Sequence, residues 1–190
     1  MSLVKKVMFF IDGENLVMRY QEMVHKEKRN PLNGILHAKD VYVWHDDMIR
    51  GVYDILRVTY YTSTQGSSEK ILDIKNRIQN IQYRYRGESE KIGGRGNIFP
   101  KVYHKLKKSA KTRIVDINMT IDMLNFASMD NVDRLYLVSG DGDFIPLIKE
   151  IMQKGKQVHV MALSSGLDPE LPVSADSFEI IDSKLFKKLK

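Results

Sequence analysis

The chain has 190 residues, 43% hydrophobic and 28% charged, a composition that excludes a disordered or fibrous protein and gives one domain enough material for a sizeable core. It contains no cysteine, which excludes disulfides, thiolate metal sites and thiol nucleophiles, fits a reducing compartment, and leaves oxygen or imidazole as the only ligands for any metal. The 30 Lys and Arg against 24 Asp and Glu give a formal charge of +6 and an isoelectric point near 9.3, which favours a polyanionic partner.

The opening apolar run is broken by Asp12, too soon for a signal peptide, and no apolar stretch approaches the roughly 18 residues of a membrane span. A cytoplasmic protein with no membrane partner is expected. Val4 to Ile11, β-branched and aromatic, reads as a buried strand that stops at the Asp12-Gly13 turn. A helix should follow, with Leu16, Tyr20, Met23 and Val24 on one face and Asn30-Pro31 closing the segment. The pattern predicts a second helix over Asp40 to Arg50, a strand over Tyr53 to Thr62, a polar turn from Thr64 to Ser68, and a helix over Glu69 to Gln82. From Arg84 to Arg113 the periodicity fades into a basic, glycine-containing segment that reads as an insertion or mobile loop. A buried helix is predicted from Asp116 to Ser128, a strand over Leu135 to Ser139, a helix over Phe144 to Lys154 ended by Gly155, and a strand over Gln157 to Leu163. This alternation implies a single α/β domain over residues 1–190, with a mainly parallel sheet and helices on both faces.

Such a sheet delivers several acids to one edge. Asp12 ends the first strand, Asp141 and Asp143 directly follow the strand Leu-Tyr-Leu-Val-Ser, and Asp116 stands at a helix start. In open α/β sheets the ligand crevice lies outside the carboxyl ends of the strands, so Asp12 and Asp141 should be neighbours despite their separation in sequence. Carboxylates gathered in one crevice repel one another unless a hard divalent cation with oxygen ligands, such as Mg²⁺ or Mn²⁺, neutralises them. Each acid also has a plainer reading: Asp12-Gly13 as a turn, Asp116 as a helix cap, Asp141 and Asp143 as turn and cap residues. Asp122 lies six residues after Asp116, about 240° around a helix, so it does not share that face. Asp122 and Ser139 are expected to support the ligands rather than join them.

Three segments, FFIDGEN at residues 9–15, VDINMTID at 115–122 and LVSGDGDFIPLIKEIMQKGKQVHV at 137–160, resemble the signature segments of NYN domains, a PIN-like nuclease group. Ala175-Asp176-Ser177-Phe178 is similar to that family's closing segment. The resemblance implies a Rossmann-like three-layer sandwich with strand order 3-2-1-4-5 and a metal-dependent ribonuclease site. It assigns metal binding to Asp12, Asp116, Asp141 and Asp143, with Asn15 as a polar helper and Mg²⁺ or Mn²⁺ as cofactor. The implied chemistry is phosphodiester hydrolysis: an ion on Asp12, Asp116 and Asp141 polarises a phosphoryl oxygen and acidifies a water, and Asp143 holds a second ion or orients that water.

The phosphate partner in this reading is the basic run Lys101, Lys105, Lys107, Lys108, Lys111 and Arg113, with Tyr103 and His104 among them; its plainer reading is a solvated loop. Single-stranded RNA is the expected substrate, while DNA and self-association into a homo-oligomer stay open. His25, His37, His45 and His159 lack metal spacing, and Gly93, Gly94 and Gly96 are not followed by the Gly-Lys-Ser/Thr of a phosphate loop. Two alternatives remain. Asp12 with Glu14 faintly resembles aspartate-nucleophile phosphatases of the haloacid dehalogenase type, which expect Asp and then Thr or Val where this chain has Glu14 and Asn15. An RNA- or protein-binding regulator with a vestigial pocket is the other, against which stands the presence of all four acids.

Overall fold

The computed structural model describes residues 6–51, 54–86, 93–105 and 113–188. In chain order these form β1 (Val7–Asp12), α1 (Gly13–His25), β2 (Leu36–Ala38), β3 (Tyr42–Trp44), β4 (Ile55–Thr64), α2 (Ser68–Gln79), β5 (Gln82–Arg86), β6 (Gly93–Asn97), β7 (Phe99–His104), α3 (Ile114–Ala127), β8 (Arg134–Val138), α4 (Ile145–Gln153), β9 (Gln157–Ala162), α5 (Leu171–Ser174), β10 (Ser177–Ile180) and α6 (Asp182–Leu185). Six of the strands make one sheet in the order β10-β9-β8-β1-β4-β7, and every neighbouring pair is parallel. Counted along this sheet alone, the order is the expected 3-2-1-4-5, extended by β10 as a sixth strand beyond the fifth.

Strand β1 is buried at every position, as a central strand covered on both faces must be. Its residues alternate between two cores. Val7, Phe9 and Ile11 pack with Leu16, Tyr20 and Met23 of α1 and Ile74 and Ile78 of α2, whereas Met8 and Phe10 pack with Met119 and Met123 of α3 and Ile148 and Ile151 of α4. The result is three layers. The chain leaves β1 toward β4 and β7 on one side and returns on the other as β8, β9 and β10, so the order reverses at the β1–β8 boundary, where a crevice opens in folds of this kind. Among the described residues no helix is long and apolar enough to cross a membrane.

Two expectations need correction. The segment from Asp40 to Arg50 is not a helix: β2 and β3 form an antiparallel hairpin, followed by a 3₁₀ turn at Asp46–Met48. Asp40 takes a left-handed backbone (φ 58°) in the tight turn and is clamped to α1 by reciprocal bonds with Gln21, while Val43 is held at both its N–H and its carbonyl by the buried Tyr60 hydroxyl. Tertiary contacts override local propensity here. The segment from Arg84 to Arg113 is likewise not simply a loop. It contains most of the antiparallel β5–β6 hairpin and the whole of β7, an edge strand of the main sheet. Lysine on an edge strand discourages pairing with other chains, and Lys101 within β7, with the lysines that follow it in sequence, gave this strand the look of a solvated loop.

Candidate active site

Asp12 is 3% exposed at the carboxyl end of β1, and it also caps α1: one carboxylate oxygen accepts from the Asn15 backbone N–H at 3.0 Å. The other accepts from Ser139 Oγ at 2.8 Å. This second bond is a consequence of register, because Ile11 pairs with Val138, so the next residues of the two strands emerge side by side. Ser139 Oγ in turn accepts from the Asp141 backbone N–H at 3.2 Å, and Asp141 Oδ1 accepts from the Asp143 N–H at 3.0 Å, capping a 3₁₀ turn at Gly142–Phe144. Asn15 Oδ1 accepts from the Gly140 N–H at 3.1 Å and ties α1 to the same loop. One chain of hydrogen bonds therefore links the ends of β1 and β8.

Gly13 is required by this arrangement, since a Cβ there would stand 2.2 Å from the Tyr60 ring and 2.6 Å from the Tyr61 carbonyl. Gly142 is similarly confined by Asp168, whose carboxylate oxygen lies 2.2 Å from where its Cβ would be.

Asp12, Asp116 and Asp141 line one crevice of about 310 Å³ together with Glu14, Asn15 and Lys105. Asp116 is in the first turn of α3, whose N-cap is Arg113. It also lines an adjoining cleft of about 510 Å³ with Asp143, Arg113, Ile117, Ile121 and Phe144. Asp143 thus stands beside the crevice rather than in it. Among the described residues no three His, Cys, Asp or Glu side chains are grouped closely enough to hold one ion.

Burial pushes the Asp12 carboxyl up to about 7, with the negative charges of Asp116 and Glu14 adding to the effect and the bonds from Asn15 and Ser139 opposing it. No cation among the described residues pairs with Asp12. At the rim the Lys105 ammonium lies 3.7 Å from Glu14 Oε1. The donor set is all oxygen and its deepest member lacks a counter-charge, which fits a hard divalent cation.

Sequence reasoning did not single out Asp168, and it named Glu14 only in weighing the phosphatase pattern, not as part of a metal site. Glu14 accepts from Ser63 Oγ at the end of β4 and faces the crevice; its signal was in plain view, an acid in the first helical turn two residues after Asp12. Nothing local in Ser-Gly-Leu-Asp points Asp168 at the Gly140–Asp143 loop, where its N–H donates to the Gly140 carbonyl at 3.0 Å.

Asp122 faces away from the crevice. It accepts from the Tyr61 hydroxyl at 2.6 Å and from the Lys101 ammonium, which also lies over the Tyr61 ring at 5.7 Å. Lys101 is thereby engaged in fastening β7 to α3, whereas Lys105 reaches the crevice rim and Arg113 the cleft. Tyr103 packs half-buried against the α3–α4 core and His104 is exposed. Lys107, Lys108 and Lys111 lie outside the described residues. Lys101→Met should lower stability by about 1–3 kcal/mol, read in a thermal melt, because Asp122 loses its charged donor while largely shielded from water. An unchanged melting temperature would show that the pair is idle.

Residues 6–182 match the family model of the NYN domain. The chain belongs to the NYN domain family. NYN domains are PIN-like nucleases and generally use divalent metals. A stretch of 83 residues, 40% of this chain, is 31% identical to an uncharacterized protein of Methanocaldococcus jannaschii and covers 35% of that protein's length. The crystal structure of a protein of unknown function from Vibrio parahaemolyticus matches this NYN domain with a TM-score of 0.62 at 18% identity, over 98% of this chain and 99% of the other, a likeness of fold.

Proposed function

We propose that this NYN domain is a metal-dependent endoribonuclease acting on single-stranded RNA. The observation that carries the proposal is the placement of Asp12, Asp116 and Asp141 on the walls of one crevice, with Asp12 buried and lacking a cationic partner among the described residues. Asp12, Asp116 and Asp141 would hold the ion, with Asp143 and Glu14 at its margins; when bound, a divalent ion supplies Lewis-acid charge at the scissile phosphate and lowers the pKa of water there. Ser139 and Asn15 keep the carboxylates and the Gly140–Asp143 loop in place through the bonds described above. Lys105 offers an ammonium to a phosphate arriving at the rim.

One observation favours a second reading, a nucleic-acid-binding module without catalysis: the acids are not drawn together closely enough to grip one ion. A single experiment separates the two. Purified protein incubated with labelled single-stranded RNA or DNA should cut RNA with Mn²⁺ and not with EDTA. Binding without cleavage under both conditions would support the second reading, and release of phosphate from a monoester run alongside would support a phosphatase.

A further inference from the structure

The β5–β6 hairpin has one face committed to the core. Tyr83 is 3% exposed and joins the α1–α2 core, and Tyr85 packs against it. Their rings lie across the opposite strand, where a Cβ at Gly96 would stand 2.4 Å from the Tyr83 ring and a Cβ at Gly94 would stand 2.1 Å from the Tyr85 ring. A side chain at either position would have to displace a tyrosine ring, at Gly96 the buried ring of Tyr83, so the glycines favour one way up for the hairpin. Strand alternation then turns Gln82, Arg84, Arg95 and Asn97 outward, and all four are exposed.

On this outward face Arg84 and Arg95 are direct cross-strand partners, and Gln82 is paired with Asn97. Like charges directly opposite one another destabilise a hairpin. Elsewhere Arg19, Arg29, Arg50 and Arg77 each hold a carboxylate, Arg57 lies over two aromatic rings, and Arg134 donates to Gln157 and Tyr136. Among the described residues Arg84 and Arg95 have no such partner.

We propose that the outward face of this hairpin binds the phosphate backbone of nucleic acid at a point separate from the acidic crevice. Two guanidinium groups side by side match phosphate oxygens through paired N–H donors, and an anion between them removes their repulsion. The hairpin leads through Ile98 into the amino end of β7, whereas the crevice lies at the carboxyl ends of the strands. Tyr83 is hydrogen-bonded to the backbone of Val58, three residues before Tyr61, the register partner of Asp12. At about 3.3 Å per residue that sets the foot of the hairpin roughly 10 Å below the crevice along β4. The contact serves a strand longer than the few nucleotides in the crevice. It rests on the nuclease reading only in the choice of nucleic acid as the polyanion.

The test is equilibrium binding of a labelled single-stranded RNA of about 30 nucleotides, longer than a single-platform footprint of roughly 4–16, measured in EDTA so that no cleavage intervenes. Arg84→Ala/Arg95→Ala should bind about tenfold more weakly at low salt, and its plot of log affinity against log salt should be shallower by about 1.4, from roughly 0.7 per phosphate. Arg84→Lys/Arg95→Lys should keep most of the slope. The alanine variant should melt at the same temperature as the parent or higher, because a like-charge pair is gone. Equal affinity and slope in the parent and the alanine variant would overturn the proposal, as would a lysine variant that loses as much as the alanine variant, or a parent that does not bind RNA at all. Cleavage with Mn²⁺, assayed separately, judges the nuclease reading: RNA that is bound with the expected slope change but never cut would sink that reading and leave this one standing.

Discussion

Asp141→Asn should lose at least about a hundredfold of Mn²⁺-dependent RNA cleavage while keeping the circular dichroism spectrum of the parent. Asp141 Oδ1 accepts the Asp143 N–H that begins the 3₁₀ turn, and the amide oxygen of asparagine can accept it equally well. The backbone of the loop should therefore survive, and only the charge is lost. Removing a group that merely orients a metal ligand already lowers metal affinity or activity by about 10–100-fold, so removing a ligand should exceed that. Asp141→Ala would remove the cap as well, a further loss of about 1 kcal/mol in stability. Undiminished cleavage by the folded asparagine variant would place the activity in another site or another protein.

Asp12→Asn is expected to raise the melting temperature of metal-free protein at pH 8, to raise it much less at pH 5 and to change it little below pH 4, besides abolishing cleavage. The sign follows from the direction of the shift. Burial lifts the folded-state pKa from 3.8 to about 7, so between those values the native protein retains a proton that the unfolded chain has released. Stability linked to Asp12 is thus fully present below about pH 4, declines as pH rises toward 7, and is flat above. The difference amounts to a few kcal/mol at pH 8, or about 5–10 °C at roughly 2–4 °C per kcal/mol for a domain of this size. Asparagine keeps an oxygen for the Asn15 N–H and has no charge to desolvate. Mn²⁺ should stabilise the parent protein most at pH 8 and progressively less below pH 7, where a proton competes for the same carboxylate. A parent melting temperature indifferent to pH between 5 and 8 in EDTA would refute the assignment of a raised pKa to Asp12.

The parts of this fold that were legible in the sequence are those where local pattern and tertiary demand agree. Val7 to Ile11 is uniformly apolar because it is buried on both faces, and the pattern of Met119, Met123 and their neighbours marks α3 for the same reason. Strand β7 was not legible, although the strand order implied by the resemblance needs a third strand. Phe99 is half exposed on the open edge and Lys101 interrupts the run, so nothing local separates β7 from the basic residues that follow. The segment from Asp40 to Arg50, which holds the second arm of the β2–β3 hairpin, was misread as a helix because the hairpin's turn depends on Gln21 and its position on Tyr60 and Thr62, all distant in sequence.

By itself the sequence determined the class of the fold and, through the resemblance of its three segments, the family; it also brought forward Asp12, Asp116, Asp141 and Asp143 as candidate site residues, because acids following buried strands or opening a helix can be read from hydrophobic pattern. Only the tertiary structure decided how they are disposed. Parallel register sets Ser139 beside Asp12, the first turn of α3 brings Asp116 into the crevice, and the 3₁₀ turn after Asp141 leaves Asp143 in the neighbouring cleft. It also drew in Glu14, engaged Lys101 with Asp122, and turned Arg84 and Arg95 to one side of a hairpin. The physical reason is that which residues are polar is a local property of the chain, whereas which polar groups share a dielectric environment depends on strand pairing and helix packing between distant segments, Asp12 and Ser139 being 127 residues apart, a separation over which hydrophobic pattern carries no register.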